Sequence, residues 1–170
     1  MMETKQVDWQ GQWIWSNEPP ELPNKMVYFR KQFDLKDSPK EINLHIYADS
    51  RYRVWINNNY IGFGPARHHS GHPTFDTYNV TKSIKPGLNI IAVQAHHYPD
   101  DAFPIFAVIK GGLICQLETE SGTIITKSDD SWRCLVSAGY NIHNSHRYHE
   151  IFDARQEPIE WQNLPFDDSA

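Results

Sequence analysis

Over every strongly patterned stretch of the chain, apolar and polar positions alternate with a period of two, and no stretch of about ten residues holds a helical period. The clearest case is residues 41–67. There Ile42, Leu44 and Ile46 alternate with Asn43, His45 and Tyr47, and Tyr52, Val54 and Ile56 alternate with Arg53, Trp55 and Asn57. That spacing turns one face of each strand into a core. Asn57-Asn58-Asn59 reads as the turn, because asparagine tolerates positive φ, and residues 60–63 read as a returning strand that Gly64-Pro65 ends. Asp49-Ser50-Arg51 and Arg67-His68-His69 then stand at the polar edges of this sheet.

Elsewhere the pattern predicts strands over residues 26–35, 88–96, 106–109, 113–119 and 123–126, a short strand before Tyr78, and one more after Trp132. Asn79-Val80-Thr81 caps a single helical turn, the proline-rich stretch 16–24 is a surface loop, and the remainder is loop-like. Turns recur at the spacing of an all-β sandwich. The expected domain organisation is a β-sandwich over residues 1–147, followed by an extended C-terminal segment, 148–170, that begins a following domain. Trp132 is expected to be buried, and the segment from Tyr148 onwards, with its prolines and charges, to be loosely held.

Composition narrows the function. A length of 170 residues with 39% hydrophobic and 13% aromatic content suits about one domain with a real core. A net charge of -5 with scattered Lys and Arg argues against nucleic acid, which asks for a basic stripe. No apolar run is long enough for a membrane helix, and MMETKQVDW lacks the apolar segment of a signal peptide, so the chain as written reads as cytoplasmic with no membrane partner. Cys115 and Cys134 are too few for a disulfide scaffold.

Nine histidines invite a metal reading, in the groups His68-His69-x-x-His72, His96-His97 and His143-x-x-His146-x-x-His149. Adjacent histidines on a strand point to opposite faces, however, whereas a barrel metal site needs them at i and i+2, so the expectation is no metal site. If any ion is taken, oxygen ligands on loops suit calcium, although no EF-hand spacing is present. Asp49, Asp76, Asp100, Asp101, Glu150 and Asp153 fall in loops or strand ends, where carboxylates are usually solvated or capping, and sequence alone cannot pair them as glycosidase catalysts. Nothing resembles HExxH, a phosphate-cradling glycine loop or GxSxG. Trp13, Trp15 and Trp55 read as residues that fill the core or plug its end, whereas an exposed aromatic beside Arg and Asp would suit a sugar.

Several pieces in order carry a resemblance: WIW at Trp13 to Trp15, VYFRKQFDL, the succession ADSRY, VWINN and IGFGPAR, then FDTYNVT, PGLNIIAVQAHH, DDSWR and EIFDARQE. Together they resemble the N-terminal region of bacterial α-L-rhamnosidases over nearly the whole chain. The ladder from INNNYIG to GLNIIAV is similar to the galactose-binding-like jelly roll of many glycosidases, and the GPAR and FDAR pieces narrow it. The resemblance implies a jelly-roll β-sandwich that precedes a catalytic barrel carrying the acid and base, so no catalytic residue is carried onto this chain and no glycosidase activity is expected from it alone. It implies carbohydrate, including rhamnose-containing carbohydrate, as ligand, and the catalytic and other β domains of a parent enzyme as partners. Where relatives have Asn-Gly at the hairpin this chain has Asn58-Asn59, and His68, His69 and His72 match no pattern of the family.

On that reading the expected binding residues are Arg51 and Arg67 as donors to hydroxyls, Asp76 as acceptor, Tyr52 or Tyr78 as a stacking face, and His96 and His97 at the rim. The competing reading is that Arg51 and Asp76 pair to pin two loops, in a domain that packs on the barrel and binds nothing.

Overall fold

A computed structural model describes residues 7–20, 22, 24–37, 39–66, 68, 73–98, 110–145 and 147–167. Its strands are β1 (Lys25–Leu35), β2 (Ile42–Asp49), β3 (Arg51–Ile56), β4 (Asn59–Gly64), β5 (Asp76–Asn79), β6 (Gly87–His97), β7 (Gly112–Thr119), β8 (Ile124–Lys127), β9 (Arg133–Val136), β10 (Tyr140–Ser145) and β11 (Arg147–Phe152). They form a five-stranded sheet in the order β4-β3-β6-β1-β9, a four-stranded sheet in the order β5-β2-β7-β8, and a two-stranded ribbon of β10 and β11. Every pairing is antiparallel. The all-β sandwich that the alternation predicted is what the chain forms.

The core lies between the two larger sheets. Val27 and Phe29 of β1, Leu44 and Ile46 of β2, Val54 and Ile56 of β3, Ile91, Val93 and Ala95 of β6, and Leu113 and Leu117 of β7 are almost wholly buried in one cluster. Each strand contributes every second residue, as the pleat requires. Trp132 closes the cluster, donating its indole N–H to the Lys127 carbonyl at 2.8 Å, so its expected burial is observed.

Asn57 and Asn58 have φ of 49° and 66°, and Ile56 pairs with Asn59, which makes a two-residue turn of the type that matches the strand twist. The turn is therefore Asn57-Asn58, with Asn59 the first residue of β4. The Asn57 side chain is engaged as well, donating to Ser83 O and to Asn89 Oδ1, both at 2.8 Å, and accepting from the Ile90 N–H. Asn79 accepts from the backbone N–H of Thr81 and so opens the short 3-10 turn Thr81–Ser83 where one helical turn was expected.

Two expectations are corrected. The region after β9 is not loop-like throughout, since β10 and β11 pair from Tyr140↔Phe152 to Ser145↔Arg147. The C-terminal segment is also docked, because Trp161 is buried in a second cluster with Met26, Tyr28 and Ala92 on the outer face of the five-stranded sheet. FDAR becomes a capped turn, in which Asp153 accepts from the Arg155 backbone and from its guanidinium. The strand expected over residues 106–109 lies outside the described residues.

Candidate functional site

Sheet register sets out one polar and aromatic surface. On the outer face of the five-stranded sheet, Arg51 of β3 stands opposite His96 of β6, which stands opposite Met26 of β1. One step along, Phe63, Arg53, Gln94 and Tyr28 form the next row across β4, β3, β6 and β1. These rows floor a cavity of about 330 Å³ lined by Met26, Arg51, Tyr52, Arg53, Tyr60, Phe63, Gln94, His96, Tyr98 and Tyr140. Tyr60 and Phe63 are more than half exposed at its edge. The C-terminal segment bounds the face: Trp161 meets Tyr28 at 4.8 Å and Trp55 at 5.5 Å between ring centroids, and Arg30 lies 4.7 Å from the Phe166 ring while donating to Asn163 O.

Within the cavity, Arg53 donates to Gln94 Oε1 at 3.4 Å, and the Gln94 amide donates to the Tyr28 hydroxyl at 3.3 Å. The Arg51 guanidinium lies 5.6 Å from the centre of the Tyr98 ring, which in turn stacks on His96 at 4.1 Å. His96 is 5% exposed and its Nε2 has no hydrogen-bond partner among the described residues. Burial, reinforced by neighbouring His97, Arg51 and Arg53, pulls its pKa from 6.5 down to about 4, so the ring is neutral near pH 7. This cavity therefore holds two permanent cations, a neutral imidazole and several ring faces.

Of the sequence-predicted residues, Arg51, Tyr52 and His96 line this cavity. Tyr52 reaches it from the other side of β3, because its side chain faces the core and its hydroxyl donates to Asp76 Oδ2 at 2.5 Å. Tyr78 joins that cluster at 3.1 Å from the Tyr52 hydroxyl and donates to Phe63 O. Asp76 and Tyr78 thus tie β5 of one sheet to β3 and β4 of the other. A Cβ at Gly64 would sit 2.0 Å from Asp76 Oδ2, and one at Gly62 would sit 2.6 Å from the Tyr78 ring, so both glycines make room for the cluster. Burial and the bond to Asp76 hold the Tyr52 phenol protonated, far above its ordinary range. The pairing of Arg51 with Asp76 is not what occupies the aspartate; Tyr52 is.

His97 is not at a rim. It faces the interior at 2% exposure, 3.4 Å from Asp49 Oδ1, an ion-pair distance without hydrogen-bond geometry, with the Trp15 ring edge-on. Arg67, together with His69 and His72, lies outside the described residues. No group of three or more His, Cys, Asp or Glu suited to hold a metal occurs among the described residues. His68 instead contacts Tyr47, its Nε2 3.2 Å from the hydroxyl. Arg53, Tyr60, Phe63, Gln94, Tyr98 and Tyr140 were not singled out from sequence. Counting by two from Arg51 and from His96 finds Arg53 and Gln94, whereas Tyr140 comes from a distant segment and leaves no local signal.

Similarity to known proteins agrees with this architecture. A GH78 family rhamnosidase of Bacillus sp. GL1 superposes with a TM-score of 0.87 at 30% identity, over 96% of this chain and 18% of that one. The α-L-rhamnosidase of Dictyoglumus thermophilum superposes with a TM-score of 0.74 at 25% identity, over 95% of this chain and 20% of that one. A β-galactosidase of Arthrobacter sp. (strain B7) is 30% identical over 89 residues, which are 48% of this chain and 8% of that protein. The chain thus spans about a fifth or less of the length of each. The family model of the α-L-rhamnosidase N-terminal domain matches residues 37–170, and on that match over most of its length the chain belongs to the α-L-rhamnosidase N-terminal domain family.

Proposed function

We propose that this chain is a non-catalytic accessory module of an α-L-rhamnosidase-type glycoside hydrolase and that its outer-face cavity binds carbohydrate. The observation that carries the reading is the lining itself, where guanidinium, amide and hydroxyl groups converge between the exposed rings of Tyr60 and Phe63. Sugars present apolar ring faces that stack on aromatics, and polar groups that take such hydrogen bonds. Glycoside hydrolysis uses two carboxylates, and the described residues that line the cavity include none, which supports binding rather than cleavage at this surface. The parent enzyme's rhamnosidase activity resides in the rest of a longer protein.

The test is a titration of the isotope-labelled chain with neutral and acidic monosaccharides, followed by amide shifts. Saturable shifts confined to β3, β4 and the end of β6 are expected, with a dissociation constant of about 0.1–1 mM for a shallow, wet site. Absence of any such shift across the panel overturns the reading.

A second reading, a domain that packs on the catalytic barrel, is favoured by a separate observation. Ile159 is 82% exposed, and Leu135, Ile151 and Phe152 are each about half exposed, apolar side chains of the kind that a neighbouring domain would cover. The two roles use different residues and are compatible.

A further inference from the structure

Resting on the carbohydrate reading, we infer that Glu157 is a positioning residue of that site: it is not among the residues that line the cavity, yet it fixes which way the Gln94 amide faces and holds Tyr140 at the wall. The Glu157 carboxylate has two hydroxyl donors. Tyr28 donates to its Oε2, and Ser137 Oγ donates to its Oε1 at 2.6 Å. An ionised carboxylate only accepts, so each hydroxyl commits its one proton to Glu157 and keeps its lone pairs for other donors.

One branch runs across the sheet. With its proton on Glu157, the Tyr28 oxygen can only accept, and it accepts from the Gln94 amide nitrogen at 3.3 Å. The Gln94 carbonyl is thereby turned to Arg53, whose guanidinium donates to it at 3.4 Å. Tyr28, Gln94 and Arg53 stand opposite one another on β1, β6 and β3, so three side chains from separate strands form one chain. The reversed amide would set its N–H groups against a guanidinium that has no acceptor, and the carboxylate at one end thus selects one of the two amide orientations at the other.

A second branch reaches the aromatic wall. The Ser137 oxygen, its proton also on Glu157, accepts from the backbone N–H groups of Gly139 and Tyr140, each at 3.2 Å, and the Ser137 N–H donates to Met26 O of β1 at 2.8 Å. A Cβ at Gly139 would sit 2.6 Å from Glu157 Oε1, so glycine there makes room for the carboxylate. Arg53, Gln94, Met26 and Tyr140 all line the cavity. Its affinity for a sugar therefore depends on a carboxylate that the sugar does not touch.

The experiment compares the isotope-labelled parent chain with Glu157→Gln, Tyr28→Phe and the double variant. Without ligand, the side-chain amide signals of Gln94, identified by their loss in Gln94→Glu, are expected to move in both single variants, because the hydroxyl acceptor is removed or no longer obliged to accept. A Glu157 that merely pins the C-terminal segment would change the thermal midpoint and leave those signals in place. With D-galactose, L-rhamnose, D-glucose and sodium D-glucuronate as probes, affinity for the tightest-binding sugar is expected to fall about three- to tenfold in each single variant, the effect of one misdirected hydrogen bond. The double variant should lose no more than the worse single one, since both substitutions break one chain. Backbone amides of Asn163 and Phe166 report whether the C-terminal segment stays docked, and where Glu157→Gln releases it, Tyr28→Phe carries the test. Unmoved Gln94 signals, unchanged sugar affinity, or losses that add in the double variant overturn the role of Glu157 and leave the carbohydrate reading standing. If none of the four sugars moves the cavity amides of the parent chain, both fall together.

Discussion

The two outer faces of this sandwich are covered by opposite ends of the chain, and with different results. Over the four-stranded sheet, the N-terminal segment brings Trp9 against Phe75 and Trp13 against Tyr47, and the polar residues of the sheet satisfy one another. His45 bridges Thr77 at 2.8 Å and Glu118 at 3.2 Å, while Gln116 accepts from the Gln10 backbone and donates to Glu118 and to Asp8 O. Over the five-stranded sheet, the C-terminal segment seals only the half around Trp161, and the half around Arg51, Arg53 and His96 stays open as the cavity. The four-stranded face also holds a cavity, of about 770 Å³, walled by Trp9, Trp13, Trp15, Tyr47 and Phe75, but the polar groups of its sheet are engaged with one another. The five-stranded face instead presents a buried imidazole with no hydrogen-bond partner at Nε2 among the described residues, which has the makings of a site.

Removing the cover should separate the faces most strongly. Trp161→Ala is expected to cost about 3–5 kcal/mol by urea unfolding, the range for a buried large aromatic, whereas Trp13→Ala, at a residue 58% exposed, should cost less than about 1 kcal/mol. Equal losses would erase the distinction between a sealing and a decorating aromatic.

Acid is the next probe. His96 titrates near 6.5 when unfolded and near 4 when folded, so between those values the unfolded state holds the extra proton. Its contribution is fully present above pH 6.5 and is lost as pH falls towards 4, amounting to roughly 3 kcal/mol. Arg51 and Arg53, which add to this shift, stay cationic across the window. The difference in stability between the parent chain and His96→Gln should shrink by that order between pH 7 and 4, and a pH-independent difference would show that the ring is not held neutral.

Smaller effects test the cluster that joins the sheets. Tyr52→Phe removes the donor to Asp76 and is expected to cost about 1–2 kcal/mol, with thermal denaturation as the readout. Arg53→Ala should change stability by no more than about 0.5 kcal/mol, because it stands on the open face; a larger loss would mean that this face is as structural as its counterpart.

Alternation alone was enough to identify the strands. Ile42, Leu44 and Ile46, then Tyr52, Val54 and Ile56, could be assigned to a core before any contact was known, because a strand's period of two is a covalent property of the extended chain. The same rule, carried through, separates Arg51 from Tyr52 and His96 from His97, neighbours that were grouped as one site and that the pleat sends to opposite faces. The Asn57-Asn58 turn was legible for a similar reason, since positive φ is a local demand that a residue type either tolerates or does not.

What the sequence by itself determined is thus the sandwich, the face each residue takes, and the family to which the ordered pieces point. What only the tertiary structure decided is which polar groups are already engaged: Asp76 by Tyr52, His45 by Thr77 and Glu118, and Gln94 by Arg53 and Tyr28. It also decided that Tyr140 and Trp161 come to the outer face of β1, β3 and β6. Faces follow from local backbone geometry, but the partners of a side chain follow from which strands become neighbours, and that is a long-range outcome of burying the whole apolar set at once.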